Sequence, residues 1–228
     1  MKMRIAIDGP AGAGKSTVAK ALAKRIGFIY VDTGAMYRAI GLYLMEKKLN
    51  LHDEAPLRKA LDEVELDIGY EDGIQQVYLN GTNVTSKIRT EAAGSMASQV
   101  SALLPVREKL VEIQQELGRR ADVVMDGRDI GTVVLPDAEL KVYFTASSKV
   151  RAERRYRELV EKGIISTIEE VEADILARDY RDMHRKHSPL KQADDAILVD
   201  SSDMTISEVL QVMIKLVAER NPEVAKLL

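Results

Sequence analysis

Residues 5–17 read IAIDGPAGAGKST, a short apolar run, then small residues, then Lys-Ser-Thr at the start of a helical pattern. Gly9-Pro10-Ala11-Gly12-Ala13-Gly14-Lys15-Ser16 satisfies G-x-x-x-x-G-K-[ST], and its place between a strand and a helix is what gives that spacing its meaning. Small side chains let successive backbone amides curl around a phosphate, and the helix N-terminus adds positive potential. Lys15 then reaches the β- and γ-oxygens and the Ser16 hydroxyl can hold Mg²⁺. Such a loop commits the chain to a parallel α/β sheet with a phosphate at its edge.

The rest of the chain keeps that alternation. Apolar β-type runs at Met3–Ile7, Phe28–Val31, Asp122–Met125, Leu140–Thr145 and Ala196–Val199 are separated by helical patterns, the arrangement of a five-stranded parallel sheet covered on both faces. Val18, Leu22 and Ile26 mark the first helix, and Gly27 supplies its left-handed end. Residues 64–88 break the pattern: Glu71-Asp72-Gly73 and Asn80-Gly81 are turn sequences between β-prone stretches, so a small antiparallel insertion is expected. Helical stretches follow near Ala92–Arg120, interrupted at Pro105, and over Ser147–Arg185, with a break at Gly163. No linker separates independent domains, so residues 1–228 are read as a single domain.

Composition removes several alternatives. The chain has no cysteine and three scattered histidines, which excludes disulfides and thiolate sites and disfavours zinc. A net charge of −3 argues against broad nucleic-acid binding, and no apolar run suits a signal peptide or a membrane span. The expectation is a cytoplasmic monomer with no nucleic-acid or membrane partner. There is no Asn-Lys-x-Asp guanine motif, which weakens a GTPase reading and leaves small kinases in front.

A kinase needs an acceptor site, and in doubly wound sheets ligands sit beyond the C-terminal strand ends. After the second run comes Asp32-Thr33-Gly34-Ala35-Met36-Tyr37-Arg38, and after the third Asp126-Gly127-Arg128-Asp129-Ile130-Gly131. With these segments the chain resembles the bacterial-type cytidylate kinases, a branch of the nucleoside monophosphate kinases. The matching pieces are GPAGAGKST, DTGAMYR, IRT, ASQVSALLPVRE, DGRDIGTVV, RAERRYRE, and RDYRDMHR leading to SPL, in order along nearly the whole chain. The insertion at 64–88 also resembles that of this family.

The resemblance implies ATP as donor and CMP or dCMP as acceptor, with Mg²⁺. Gly9 to Thr17 would hold ATP, including Ser16 and Thr17. Arg38, Arg128 and Arg185 would bind the acceptor phosphate, for which guanidinium forks are suited. Ser98, Arg107 and Asp129 would read the base, Arg178 with Asp182 the ribose side, and Thr33 and Tyr37 would lie near the nucleotide. Lys15, Arg128 and Arg185 would carry catalysis. Asp126 has two readings, a holder of a magnesium-bound water or a helix or turn cap. The charged segment 147–162 is a candidate lid whose Arg151, Arg154 and Arg155 reach the donor phosphates; the alternative is an exposed helix laced with Glu–Arg pairs. His52, His184 and His187 have no role in this reading, and Met36 and Met45 are expected as core filler. The rivals are another P-loop kinase with a different acceptor, and a nucleotide-binding regulator without transfer activity.

Overall fold

The computed structural model describes residues 2–226. The chain divides into two compact units, residues 31–120 and residues 1–30 with 121–228. Strands β1 (Arg4–Asp8), β2 (Ile29–Asp32), β6 (Val123–Gly127), β7 (Leu140–Thr145) and β8 (Ile197–Asp200) form one five-stranded sheet in the order β2-β6-β1-β7-β8. The β1–β6, β1–β7 and β7–β8 pairings are all parallel. Each expected strand is present, most of them shifted one residue toward the C-terminus.

In the larger unit the central strands are buried on both faces, which is why they read as continuous apolar runs rather than alternating ones. Ile5, Ile7, Val124, Val142 and Phe144 meet Val18, Leu22 and Ile26 of helix α1 (Lys15–Ile26) and Val209, Met213 and Val217 of helix α8 (Ile206–Arg220). Gly27 ends α1 in the left-handed conformation at φ 73°. Register matters for function: Ile7 pairs with Asp126 and Asp8 with Gly127, so β1 and β6 deliver their last side chains to one rim. Helices α6 (Ser148–Glu161) and α7 (Ile168–His184) pack on each other, separated by Gly163 at φ 70°. A Thr167–Glu170 capping box, in which each side chain accepts the other's backbone amide, fixes the start of α7.

The unit of residues 31–120 holds helices α2 (Thr33–Glu46) and α3 (Glu54–Asp62), then strands β3 (Leu66–Glu71), β4 (Ile74–Leu79) and β5 (Thr82–Asn83). These strands form an antiparallel sheet in chain order. Its hairpin turns carry paired positive φ values, 51° and 73° at Asp72-Gly73 and 48° and 74° at Asn80-Gly81, as two-residue turns require. Helices α4 (Glu91–Val100) and α5 (Leu104–Arg120) follow.

Two expectations need correction here. The chain breaks between α4 and α5 at residues 101–103 rather than at Pro105. Pro105 lies in the first turn of α5, where a missing amide costs no helical bond. Met45 is 39% exposed whereas Met36 is fully buried. Nine residues apart on a helix of about 3.6 residues per turn, the two methionines face opposite sides.

Candidate active site

The loop after β1 departs from ordinary backbone at Gly9, Gly12 and Gly14, with φ of 149°, 76° and 93°. At Gly9 the requirement is doubled, because a Cβ there would stand 1.9 Å from the Phe144 carbonyl oxygen of β7. Gly9→Ala is therefore expected to cost about 3 kcal/mol or more of stability and to abolish nucleotide binding, as thermal unfolding and ATP titration would show. No side chain caps the N-terminus of α1, which leaves its first-turn amides available to an anion.

Lys15, the first residue of α1, is 5% exposed and its Nζ donates to the Pro10 carbonyl at 2.6 Å. Burial, and after it the nearby Arg128 guanidinium, pushes the ammonium down to about 7, while Asp126 and Asp8 pull it up and Arg178 pushes it further down. Lys15, Arg128 and Arg178 thus act on one another inside a single unit.

Ser16 Oγ donates to Asp126 Oδ2 at 2.8 Å, and the Tyr30 hydroxyl donates to Asp126 Oδ1 at 2.8 Å. Asp126 is 5% exposed at the end of β6. This pairing of a hydroxyl and a carboxylate offers only hard oxygen donors. That set fits Mg²⁺, which binds through one or two protein oxygens and completes its shell with water and substrate phosphates. Among the described residues no cluster of three or more His, Cys, Asp or Glu side chains forms a protein-only cage.

Three arginine–carboxylate pairs lie in the same unit as Lys15. Arg128 Nε donates to Asp182 Oδ2 at 2.9 Å, Arg185 Nη2 lies 3.6 Å from Asp129 Oδ1, and Arg151 Nη2 lies 2.7 Å from Asp179 Oδ2. Helix α7 supplies Arg178, Asp179 and Asp182, and the four-residue spacing of Arg178 and Asp182 places them on one face. Each carboxylate is buried: Asp129 is 4%, Asp179 7% and Asp182 6% exposed. Charges so far from water need partners, and the pairing supplies them. Residues assigned to the acceptor's phosphate are thereby braced by residues assigned to its base and ribose.

Helix α6 reaches the phosphate loop through main-chain oxygens. Arg151 Nη1 donates to Ala11 O at 3.1 Å, and Arg154 Nη1 donates to Ala13 O at 3.3 Å. Arg154 Nη2 also donates to Ser201 O at 2.8 Å. Arg155 instead pairs with Glu158 at 2.8 Å, in keeping with the charge-laced outer face of that helix.

The unit of residues 31–120 carries Thr33, Tyr37, Arg38, Ser98 and Arg107. Asp32 caps α2 by accepting from Ala35 N at 2.9 Å, and its other oxygen holds Arg38 Nη2 at 2.9 Å. Thr33 and Tyr37 are buried, Ser98 is half-buried, and the Arg107 guanidinium lies 5.6 Å over the Tyr37 ring. Arg107 Nη1 also donates to Ser101 O at 3.1 Å. A 2% exposed arginine held by an aromatic face and a carbonyl is pre-oriented for a planar partner.

Sequence reading passed over Asp8, Tyr30 and Gln75. The Gln75 amide brackets the Asp32 backbone, accepting from Asp32 N at 2.7 Å and donating to Asp32 O at 3.2 Å. A carboxylate just before the glycine loop and a hydroxyl inside an apolar strand are polar groups where apolar ones are expected, which is the available signal for the buried Asp8 and the part-buried Tyr30.

A parallel sheet with a glycine loop, a buried lysine at a helix start and a hydroxyl–carboxylate pair beside it defines a P-loop phosphotransferase. An uncharacterized protein of Eubacterium ventriosum has the same fold, with a TM-score of 0.53 at 11% identity, covering 96% of this chain and 99% of its own. The chain belongs to the cytidylate kinase family, whose model matches residues 5–219. A cytidylate kinase of Lactobacillus johnsonii is 49% identical over 218 residues, spanning 96% of this chain and 95% of its own. One of Thermotoga neapolitana is 50% identical over 221 residues, spanning 96% and 99%.

Proposed function

We propose that this protein transfers the γ-phosphoryl group of ATP to CMP, and to dCMP, giving ADP and the pyrimidine nucleoside diphosphate. The observation that supports the reading is that Lys15 of the phosphate loop lies in the electrostatic field of Arg128 and Arg178 as well as of Asp126 and Asp8. A phosphate monoester is already ionised near neutral pH, so transfer needs alignment and charge stabilisation rather than a dedicated base.

The loop amides and Lys15 orient the donor's β- and γ-phosphates, and contact with those oxygens holds the Lys15 ammonium in its charged form. Ser16 would hold Mg²⁺ directly and Asp126 through water, with Tyr30 keeping Asp126 aimed. When bound, that ion neutralises charge developing on the transferred group. Arg38, Arg128 and Arg185 hold the acceptor phosphate, and Arg178 with Asp182 the ribose. Helix α6, with Arg151, Arg154 and Arg155, serves as the lid over the donor and excludes water. We read the enzyme as a cytoplasmic monomer; no helix among the described residues is long and apolar enough to cross a membrane.

Ser98, Arg107 and Asp129 read the base. Cytosine presents an amino donor beside an acceptor, which a carboxylate and a guanidinium complement, whereas uracil reverses both polarities. ADP release measured with CMP, dCMP, UMP, AMP and shikimate offered separately tests the reading: CMP and dCMP are expected to stimulate most, and equal stimulation by all would refute it. Asp129→Ala should narrow the CMP-over-UMP preference by about tenfold or more. Equal losses on both substrates would remove Asp129 from base reading.

A further inference from the structure

Asp8 ends β1 and is followed at once by Gly9, yet the backbone it holds belongs to the segment after β6. Its Oδ1 accepts the amide of Ile130 and its Oδ2 the amide of Gly131, each at 2.7 Å. The side chain is 5% exposed, and burial pushes its carboxyl up to about 7 against the pull of those amides and of Lys15. One carboxylate gripping consecutive amides fixes both the position and the tilt of the peptide between them.

That peptide directly follows Arg128 and Asp129. Asp129 also opens a single π-helical turn, its carbonyl accepting from Val134 N at 3.2 Å, while the Ile130 carbonyl accepts from Leu135 N at 2.6 Å. The space beside Gly131 is filled as well. A Cβ at Gly131 would stand 3.2 Å from Lys141 Cδ and 3.3 Å from Asp8 Oδ2. Lys141 is itself anchored, with Nζ donating to Pro136 O at 2.6 Å and to Asp195 Oδ1 at 2.9 Å. The segment is held by the end of β1 and packed against the Lys141 stem of β7.

We propose that Asp8 is a positioning residue for the acceptor site: by clamping the Ile130 and Gly131 amides it sets where Arg128 and Asp129 present their side chains, and so sharpens selection of the cytosine base. The proposal rests on the reading of Arg128 and Asp129 given above. Both Asp8 oxygens hydrogen-bond the 130–131 segment, while the adjoining Gly9 is seated against the Phe144 carbonyl, so the clamp bears on the acceptor-side segment.

Asp8→Asn tests it, since the amide keeps the side chain's shape but turns an NH₂ toward one of the two N–H groups and forfeits that bond. Expected are an ATP dissociation constant within about twofold of the unsubstituted enzyme, a KM for CMP raised about tenfold, and a CMP-over-UMP preference reduced by about the same factor. Hydrogen exchange should quicken at the Ile130 and Gly131 amides and stay slow in the interior of β1 and β6. Gly131→Ala, which presses on the clamp with Asp8 intact, should shift KM for CMP and base preference in the same direction; it decides the matter if Asp8→Asn fails to fold. Unchanged KM for CMP and base preference, or ATP and CMP binding weakened alike, would overturn the proposal. Absence of any CMP-stimulated ADP release from the unsubstituted enzyme would instead defeat the functional reading, and unchanged exchange at Ile130 and Gly131 in Asp8→Asn would then overturn the clamp on its own.

Discussion

Lys15→Met should lower kcat about a thousandfold while making the protein more stable. Methionine keeps nearly the length of the side chain, so the loop is not emptied, but the charge proposed to meet the donor phosphates is gone. Stability moves the other way because burial has pushed the Lys15 ammonium down to about 7 from an ordinary value of 10.5. Between those limits the unfolded chain binds more protons than the folded one, so the native protein gains stability as pH rises through that window. The advantage of Lys15→Met is therefore full below pH ~7 and fades toward pH ~10.5. Single-turnover kinetics and melting curves at pH 7 and pH 10 check both halves, with a rise of roughly a few degrees expected at the lower pH. A drop in stability at pH 7 would mean that the Pro10 hydrogen bond outweighs the desolvation of the ammonium.

If Arg128 holds the acceptor phosphate as proposed, Arg128→Ala should reduce kcat/KM on the order of a thousandfold, equally for CMP and UMP, since the base is read elsewhere in that proposal. It should also destabilise the protein by about 3 kcal/mol, since the buried Asp182, 6% exposed, loses its 2.9 Å partner. Adding Asp182→Asn should return much of that stability and none of the activity. Steady-state rates with both acceptors, together with denaturant titration of the single and double variants, measure the two effects separately. A loss confined to CMP would move Arg128 from phosphate holding to base reading.

How much of this was visible in the chain depends on the range of the interaction. The glycine loop, the strand–helix alternation and the hairpin turns are written in neighbouring residues, and Asp72-Gly73 and Asn80-Gly81 adopt the positive φ values that their types foretell. Met45 departs from expectation because helical phase, not apolar character alone, decides which face is buried, and the α4–α5 break because a proline begins a helix as readily as it ends one. The partners of the charged residues were not legible. Asp8 meets Ile130 across 122 positions, Ser16 meets Asp126 across 110, and Arg128 meets Asp182 across 54. Composition and spacing identify such groups as expensive to bury, but only the sheet order decides which of them arrive at the same rim. The resemblance to a family supplied candidate roles at those positions; it did not supply the cross-bracing of Arg185 with Asp129 or of Arg128 with Asp182.

Arg151 and Arg154 hold the phosphate loop by the carbonyl oxygens of Ala11 and Ala13. Every amino acid carries that oxygen, so the attachment reads the path of the chain and is blind to what hangs from it at those two positions. Substitutions that fit sterically at 11 and 13 would leave it intact, whereas shortening both arginines would uncouple α6 from the loop even with every loop residue unchanged.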